Sequence, residues 1–272
     1  MTRFDGLLGI DFAGRRTDDV DDVIYDGYDH AEHRERVPGL VSLLGDASAA
    51  DRERFLACLA LVAWGEPVGY RMVREACLEP RKAPWYDLVI DRKFSVDCSY
   101  GHLSAAAADS RELAEEKGSS ALRVETFRSL IRMADREYFE EKLGDHLDED
   151  VVRACLPDIR DVVRRSLGSL TAGIPCRFDV ATQLVDLANS VVVVDEDLAV
   201  ELVLQILRAA PSGRVMAHAV AAVHRADGPA GQALADHLYR SGNAHVRTLL
   251  AGRCSPGAAD RQGDPGEDGA WK

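Results

Sequence analysis

The chain has 272 residues, with 33 Lys and Arg against 46 Asp and Glu, a net charge of −13. Such a surface repels phosphate backbones and anionic lipid and attracts cationic partners, which argues against nucleic-acid and membrane binding. Hydrophobic residues make up 46% of the chain and aromatics only 6%, which excludes wholesale disorder and argues against a large ring-lined pocket.

The amino terminus, MTRFDGLLGIDFAG, lacks a basic segment followed by a sustained apolar run, so no signal peptide is expected. No stretch of about 18 apolar residues predicts a membrane span. A cytoplasmic protein with reduced thiols is the expectation. The first dense charge cluster follows in RTDDVDDVIYDGY (16–28). Val20, Val23, Ile24 and Tyr28 fall at helical spacing, predicting a short amphipathic helix with Thr17 as its cap and acids in its first turn. Asp18, Asp22, Asp26 and Asp29 then line an exposed side. With Asp19, Tyr25 and Tyr28 nearby, that side suits docking of Lys and Arg from a partner. Asp18-Asp19-Val20-Asp21-Asp22 also resembles the DDxxD motif of class I terpene synthases. The resemblance implies Mg²⁺ held by carboxylates sharing a helix face, bridging a diphosphate. The second metal motif of that family is not found, and the chain has only two Asn, 189 and 243. A charged outer face is therefore the favoured reading.

Next comes VPGLVSLLGDASAADRERFLACLALVAWGEP (37–67). Pro38 falls in a first helix with Leu40, Leu43 and Leu44 on its inner face. Asp46 marks a turn where its carboxylate can accept bonds from the next helix's free amides. Arg54, Phe55, Ala57, Leu59, Ala60 and Val62 follow on a second helix, closed by Gly65 and Pro67. This helical hairpin resembles a HEAT repeat, most closely over 37–79. The resemblance implies an all-α, right-handed αα-solenoid that presents an extended surface to other macromolecules.

The repeat rhythm breaks at 84–103, where Trp85, Tyr86, Arg92, Asp97, Tyr100 and His102 crowd into one interval. Aromatic, Arg and acidic side chains on such an insertion suit a binding anchor. The alternative is a crowded connection whose rings fill the core. Residues 121–136 place Leu122, Phe127, Leu130, Ile131 and Ala134 on one stripe, an amphipathic helix. The segment 148–170 keeps the helix–turn–helix rhythm. SVVVV (190–194) is the one β-branched run and, having no partner run, reads as a helix end or a buried connector. The helix beginning at Asp195 is apolar nearly all round, as suits a central, doubly covered element, and 216–252 continues in the same style. Residues 1–252 are thus expected to form one HEAT-like repeat domain, and 253–272, with four Gly and two Pro, a disordered tail.

None of the six cysteines (58, 77, 98, 155, 176 and 254) forms a CxxC or zinc-knuckle pair. Cys58, Cys77 and Cys155 read as small buried hydrophobes. Among the eight His, His30 and His33 form HxxH, and Cys98 and His102 stand four apart, but no third ligand is assignable from spacing. No GxSxG, GxGxxG or phosphate-binding GK[ST] occurs. No catalytic residues, metal ligands or cofactors are therefore assigned. The expected function is non-catalytic binding of a basic protein, in an inhibitor, immunity or adaptor role. The alternative is a Mg²⁺-dependent enzyme acting on a diphosphate-bearing substrate through Asp18–Asp22. A third reading is a DNA-acting HEAT-like protein such as an alkylbase glycosylase, for which RDVVRRSL (160–167) is the best basic run.

Overall fold

A computed structural model describes residues 3–252, and the tail expected at 253–272 lies outside the described residues. Fourteen α-helices and two short 3₁₀ turns make up the described chain, with no β-strand among the described residues. Two isolated antiparallel bridges, Ile10 to Arg16 and Ile90 to Asp97, pin loops. No helix among the described residues is long and apolar enough to cross a membrane. Where the sequence suggested one continuous domain over 1–252, the helices group into two compact units. The first comprises residues up to 133 plus 137–140, and the second 134–136 plus the chain from 141.

The first unit holds α1 (Arg3–Leu8), α2 (Val20–Asp26), α3 (His33–Leu44), α4 (Asp51–Ala63), α5 (Pro67–Ala76), α6 (Ser99–Asp109), α7 (Arg111–Glu116) and α8 (Ser120–Ile131). α4 is its centre and packs against α2, α3, α5 and α6. Its sequence dictates that role: Phe55, Leu56, Ala57, Cys58, Ala60, Leu61, Val62 and Ala63 are all buried, so the apolar surface nearly encircles the helix. α3 and α4 form the helical hairpin expected from 37–67, with Pro38 inside α3. Asp46 acts differently from the expectation. It binds Ser48 through the backbone N–H (2.9 Å) and hydroxyl (2.6 Å), and Ala50, not a capping side chain, precedes α4.

The junction between α4 and α5 is the tightest point of this unit. Gly65 adopts φ +70°, and a Cβ there would lie 2.7 Å from the Ala114 backbone nitrogen. Its carbonyl accepts the Ser119 hydroxyl at 2.7 Å. Beside it, Lys117 Nζ donates to the Trp64 carbonyl (2.7 Å) and to Glu66 Oε1 (2.7 Å) and lies 2.9 Å from His33 Nε2. One half-buried cation thereby ties three segments together, its charge balanced by Glu66.

The second unit holds α9 (Glu149–Thr171), α10 (Val180–Asn189), α11 (Glu196–Ala209), α12 (Gly213–Arg225), α13 (Pro229–Ser241) and α14 (Ala244–Ala251). α11 packs against α9, α10, α12 and α13, as its all-round apolar sequence anticipated. The SVVVV run is a 3₁₀ turn (Ser190–Val193) continuing α10. Helix starts follow ordinary capping chemistry: Asp148, Asp179, Asp195, Ser212 and Asn243 each accept a backbone N–H two or three residues inside their helix. Glu196 serves a second helix as well, accepting from Gly228 N and Gly231 N, each at 2.8 Å, at the start of α13.

Candidate functional site

The acidic amino-terminal cluster forms around α2. Asp19, not Thr17, is the cap, its Oδ1 accepting from Asp21 N (3.1 Å) and Asp22 N (3.4 Å). Thr17 instead accepts from Asp19 N at 3.0 Å. Asp18 therefore stands ahead of the helix and does not share a helical face with Asp22, the arrangement that the DDxxD reading needs. Val20, Val23 and Ile24 are buried as the apolar stripe required. Asp18, Asp22, Asp26 and Asp29 are exposed, and Tyr25 is 52% exposed beside them. Its ring lies 6.1 Å from that of the half-buried Tyr28. None of these four aspartates takes part in an ion pair among the described residues. An uncompensated acidic face carrying an accessible tyrosine results.

Asp21 turns the other way. It lines a small cavity of about 50 Å³ with Tyr25, Leu59, Ala63 and His102. Burial, assisted by the neighbouring Asp19 charge, holds its carboxyl above the usual carboxylate range, while His102 acts to lower it. The two segments singled out by sequence, 16–29 and 84–103, thus meet at this cavity through Asp21, Tyr25 and His102.

The second segment is mostly interior. Trp85 and Tyr100 are fully buried, and Asp97 is buried too. Tyr100 donates to the Pro80 carbonyl at 3.1 Å. Asp97 Oδ1 accepts from Ser99 Oγ (2.7 Å) and Asp87 N (3.1 Å), while its Oδ2 has no hydrogen-bond partner. Burial pushes the Asp97 carboxyl up to about 6. Tyr86 donates to Glu137 Oε2 at 3.2 Å, and Arg92 is exposed. Trp85, Asp97 and Tyr100 are placed as fillers of a crowded connection, out of reach of a partner's surface. An apolar ring gains more from full burial than from a half-wet site.

The chain's potential metal ligands gather where spacing could not show it. Two groups of His, Cys, Asp and Glu among the described residues have ligand atoms all within 4.8 Å of one another: Cys98, His102 and Glu140, and Glu141, Asp186 and His218. Neither includes Asp18–Asp22. In the first unit, Cys98 precedes α6 and His102 lies four residues on, in the first turn of that helix, while Glu140 arrives from a turn with φ +55°. The Cys98 thiol is buried, donates to the Val89 carbonyl at 3.4 Å, and lies within hydrogen-bonding reach of Glu140. Burial and the Glu140 charge push it up to about 12.

In the second unit, α10 supplies Asp186 and α12 supplies His218 and Arg214. His218 Nδ1 lies 3.0 Å from both Asp186 oxygens, and its Nε2 3.9 Å from Glu141 Oε2. Arg214 bonds Glu141 and reaches Asp179 at 3.3 Å. Two cations thus face three carboxylates in a closed ion network. The hydrogen bond to Asp186 raises the imidazole above its ordinary range, against the opposing effect of burial and, more weakly, of Arg214. Burial raises Asp186 as well. Both shifts mean that the folded state holds protons more tightly than the unfolded chain. The His218 contribution is therefore complete below about pH 6.5, the ordinary histidine value, and fades as pH rises through its raised value, whereas that of Asp186 is complete only below about pH 3.8, the ordinary carboxylate value, and fades as pH rises through its own raised value. A double-mutant cycle with His218→Gln and Asp186→Asn should give a coupling of about 1.5–3 kcal/mol at pH 6 and about 1 kcal/mol or less at pH 9. Equal coupling at both would mean that the imidazole stays neutral.

Glu140, Glu141, Asp186 and His218 carried no local signal. Only the Cys98–His102 spacing was visible in the sequence, and the third ligand lies 38 residues beyond His102. Compared with known proteins, the chain matches no family model, no curated protein and no solved structure.

Proposed function

We propose that this protein is a non-catalytic, acidic helical-repeat binding protein, built as a right-handed αα-solenoid of HEAT-like hairpins. It docks a basic protein partner through the exposed face of α2, in an inhibitor, immunity or adaptor role. One observation carries the reading: Asp18, Asp22, Asp26 and Asp29 are exposed without ion pairs, around the half-exposed ring of Tyr25. Other exposed carboxylates are paired, as Glu149 is with Arg153 at 2.6 Å and Asp145 with Arg225 at 2.8 Å. A face of like charge left uncompensated destabilises the free protein slightly, and a cationic partner relieves that repulsion on binding. The α3–α4 hairpin and the all-round apolar α4 and α11 support the repeat architecture, since stacked hairpins need central helices covered on both sides.

A labelled Arg- and Lys-rich peptide containing aromatic residues, followed by fluorescence anisotropy at low and high salt, tests the assignment. Neutralising Asp18, Asp22, Asp26 and Asp29 with Asn should weaken binding about 10- to 100-fold at low salt, at roughly 0.3–0.7 kcal/mol per charge. Neutralising four exposed acids elsewhere (Glu75, Glu112, Glu115 and Asp197) lowers the net charge equally and should cost at most a few-fold. Equal losses in the two variants would reduce the effect to net charge and remove α2 as the docking face.

A further inference from the structure

We propose that Cys98, His102 and Glu140 form a binding site for a divalent transition-metal ion of the zinc type, independent of the α2 face. The three side chains supply one sulfur, one imidazole nitrogen and one carboxylate oxygen, all within 4.8 Å of one another. Zinc bonds of about 2.0–2.3 Å place tetrahedral ligands roughly 3.5 Å apart, so closure requires side-chain torsions and no movement of α6. Cys98 immediately precedes α6 and His102 lies in its first turn, so both donors come from one end of that helix. A thiolate among the donors selects zinc-like ions over Mg²⁺ or Ca²⁺, whose coordination is built from oxygen.

Two further features fit an ion at this point. His102 also lines the cavity that Asp21 and Tyr25 enclose, so the residue that would hold the ion borders an open space. Three protein donors leave one tetrahedral position, which falls to water or to a donor entering by that cavity. Asp21 lines the same cavity and its charge acts on His102, placing a second carboxylate near the imidazole that would hold the ion. As the metal–sulfur bond forms, the Cys98 thiol proton leaves to solvent, giving two anionic donors against the dipositive ion. The Glu141, Asp186 and His218 group is the weaker candidate, because Arg214 already binds Glu141 and would face the incoming ion with its own positive charge.

Co²⁺ is the probe, because thiolate ligation gives a near-ultraviolet charge-transfer band and tetrahedral coordination gives intense visible bands. Cys176, which is exposed, and Cys254 are first replaced by Ser, leaving the buried Cys58, Cys98 and Cys155 and the part-buried Cys77. The expected result is one Co²⁺ per chain with both bands, displaced by one equivalent of Zn²⁺, and a rise in the thermal midpoint with Zn²⁺. Cys98→Ser should abolish the charge-transfer band. His102→Gln and Glu140→Gln, at less buried positions, should weaken affinity at least tenfold while leaving the circular dichroism of the metal-free protein unchanged. No charge-transfer band, or a band that survives Cys98→Ser, overturns the assignment. So does an affinity that neither His102→Gln nor Glu140→Gln alters. None of these outcomes bears on peptide binding at α2, which is read separately.

Discussion

Gly65→Ala is expected to destabilise the first unit by about 3–5 kcal/mol, although it adds a single methyl group. Two penalties coincide. At φ +70° a side chain crowds its own carbonyl, costing roughly 1–2 kcal/mol. The new Cβ would also sit 2.7 Å from Ala114 N and 2.8 Å from Leu113 C, atoms of α7's backbone that cannot rotate aside. Relief requires α7 to shift, which disturbs the Ser119 hydroxyl bond to the Gly65 carbonyl and the Lys117 contacts beside it. Denaturant unfolding followed by tryptophan fluorescence in a Trp271→Phe background reports this unit, because Trp64 and Trp85 lie in it. A loss below about 1 kcal/mol would show that α7 yields freely and that the junction is not tightly packed.

Trp64→Ala should cost about 3–5 kcal/mol and also weaken binding of the basic peptide. Trp64 is fully buried at the end of α4, and its Nε1 donates to the Ile24 carbonyl of α2 at 2.8 Å. The indole fills the space over Gly27, where a Cβ would come within 2.3 Å of Nε1. α2 has only seven residues, too few to persist without tertiary support, so it depends on this anchor for its shape. Trp64→Phe keeps most of the apolar contact and removes the N–H, and should cost about 1–2 kcal/mol with a smaller loss of peptide binding. If Trp64→Ala lowered stability and left peptide affinity unchanged, the acidic face would not need an ordered α2, and docking through it would lose its structural basis.

The contrast between α2 and the 84–103 segment shows how far local pattern carries. For α2 the stripe Val20, Val23, Ile24 already implied an outer acidic side, because helical periodicity alone decides which positions face in. For 84–103 no period exists, so the side-chain types could not separate an exposed anchor from a filled core. Burial of Trp85, Asp97 and Tyr100 resolved that in favour of the core for these three. The cap of α2 was misplaced by two residues, since Thr17 and Asp19 are both competent caps and the helix begins at Val20, where the Asp19 carboxylate accepts from Asp21 N and Asp22 N.

By itself, then, the sequence determined the all-helical class, the central character of α4 and α11, and the acidic outer side of α2. These follow from propensity, periodicity and charge, properties that each residue carries into any fold. Only the tertiary structure decided that His102 meets Glu140 and lies beside Asp21, that His218 meets Asp186, and that Gly65 lies against the backbone of α7. Those contacts join residues between about 30 and 80 positions apart, and no local rule sets distances across such loops. Chain topology brings the groups together, and the chemistry proposed at Cys98, His102 and Glu140 exists only because it does.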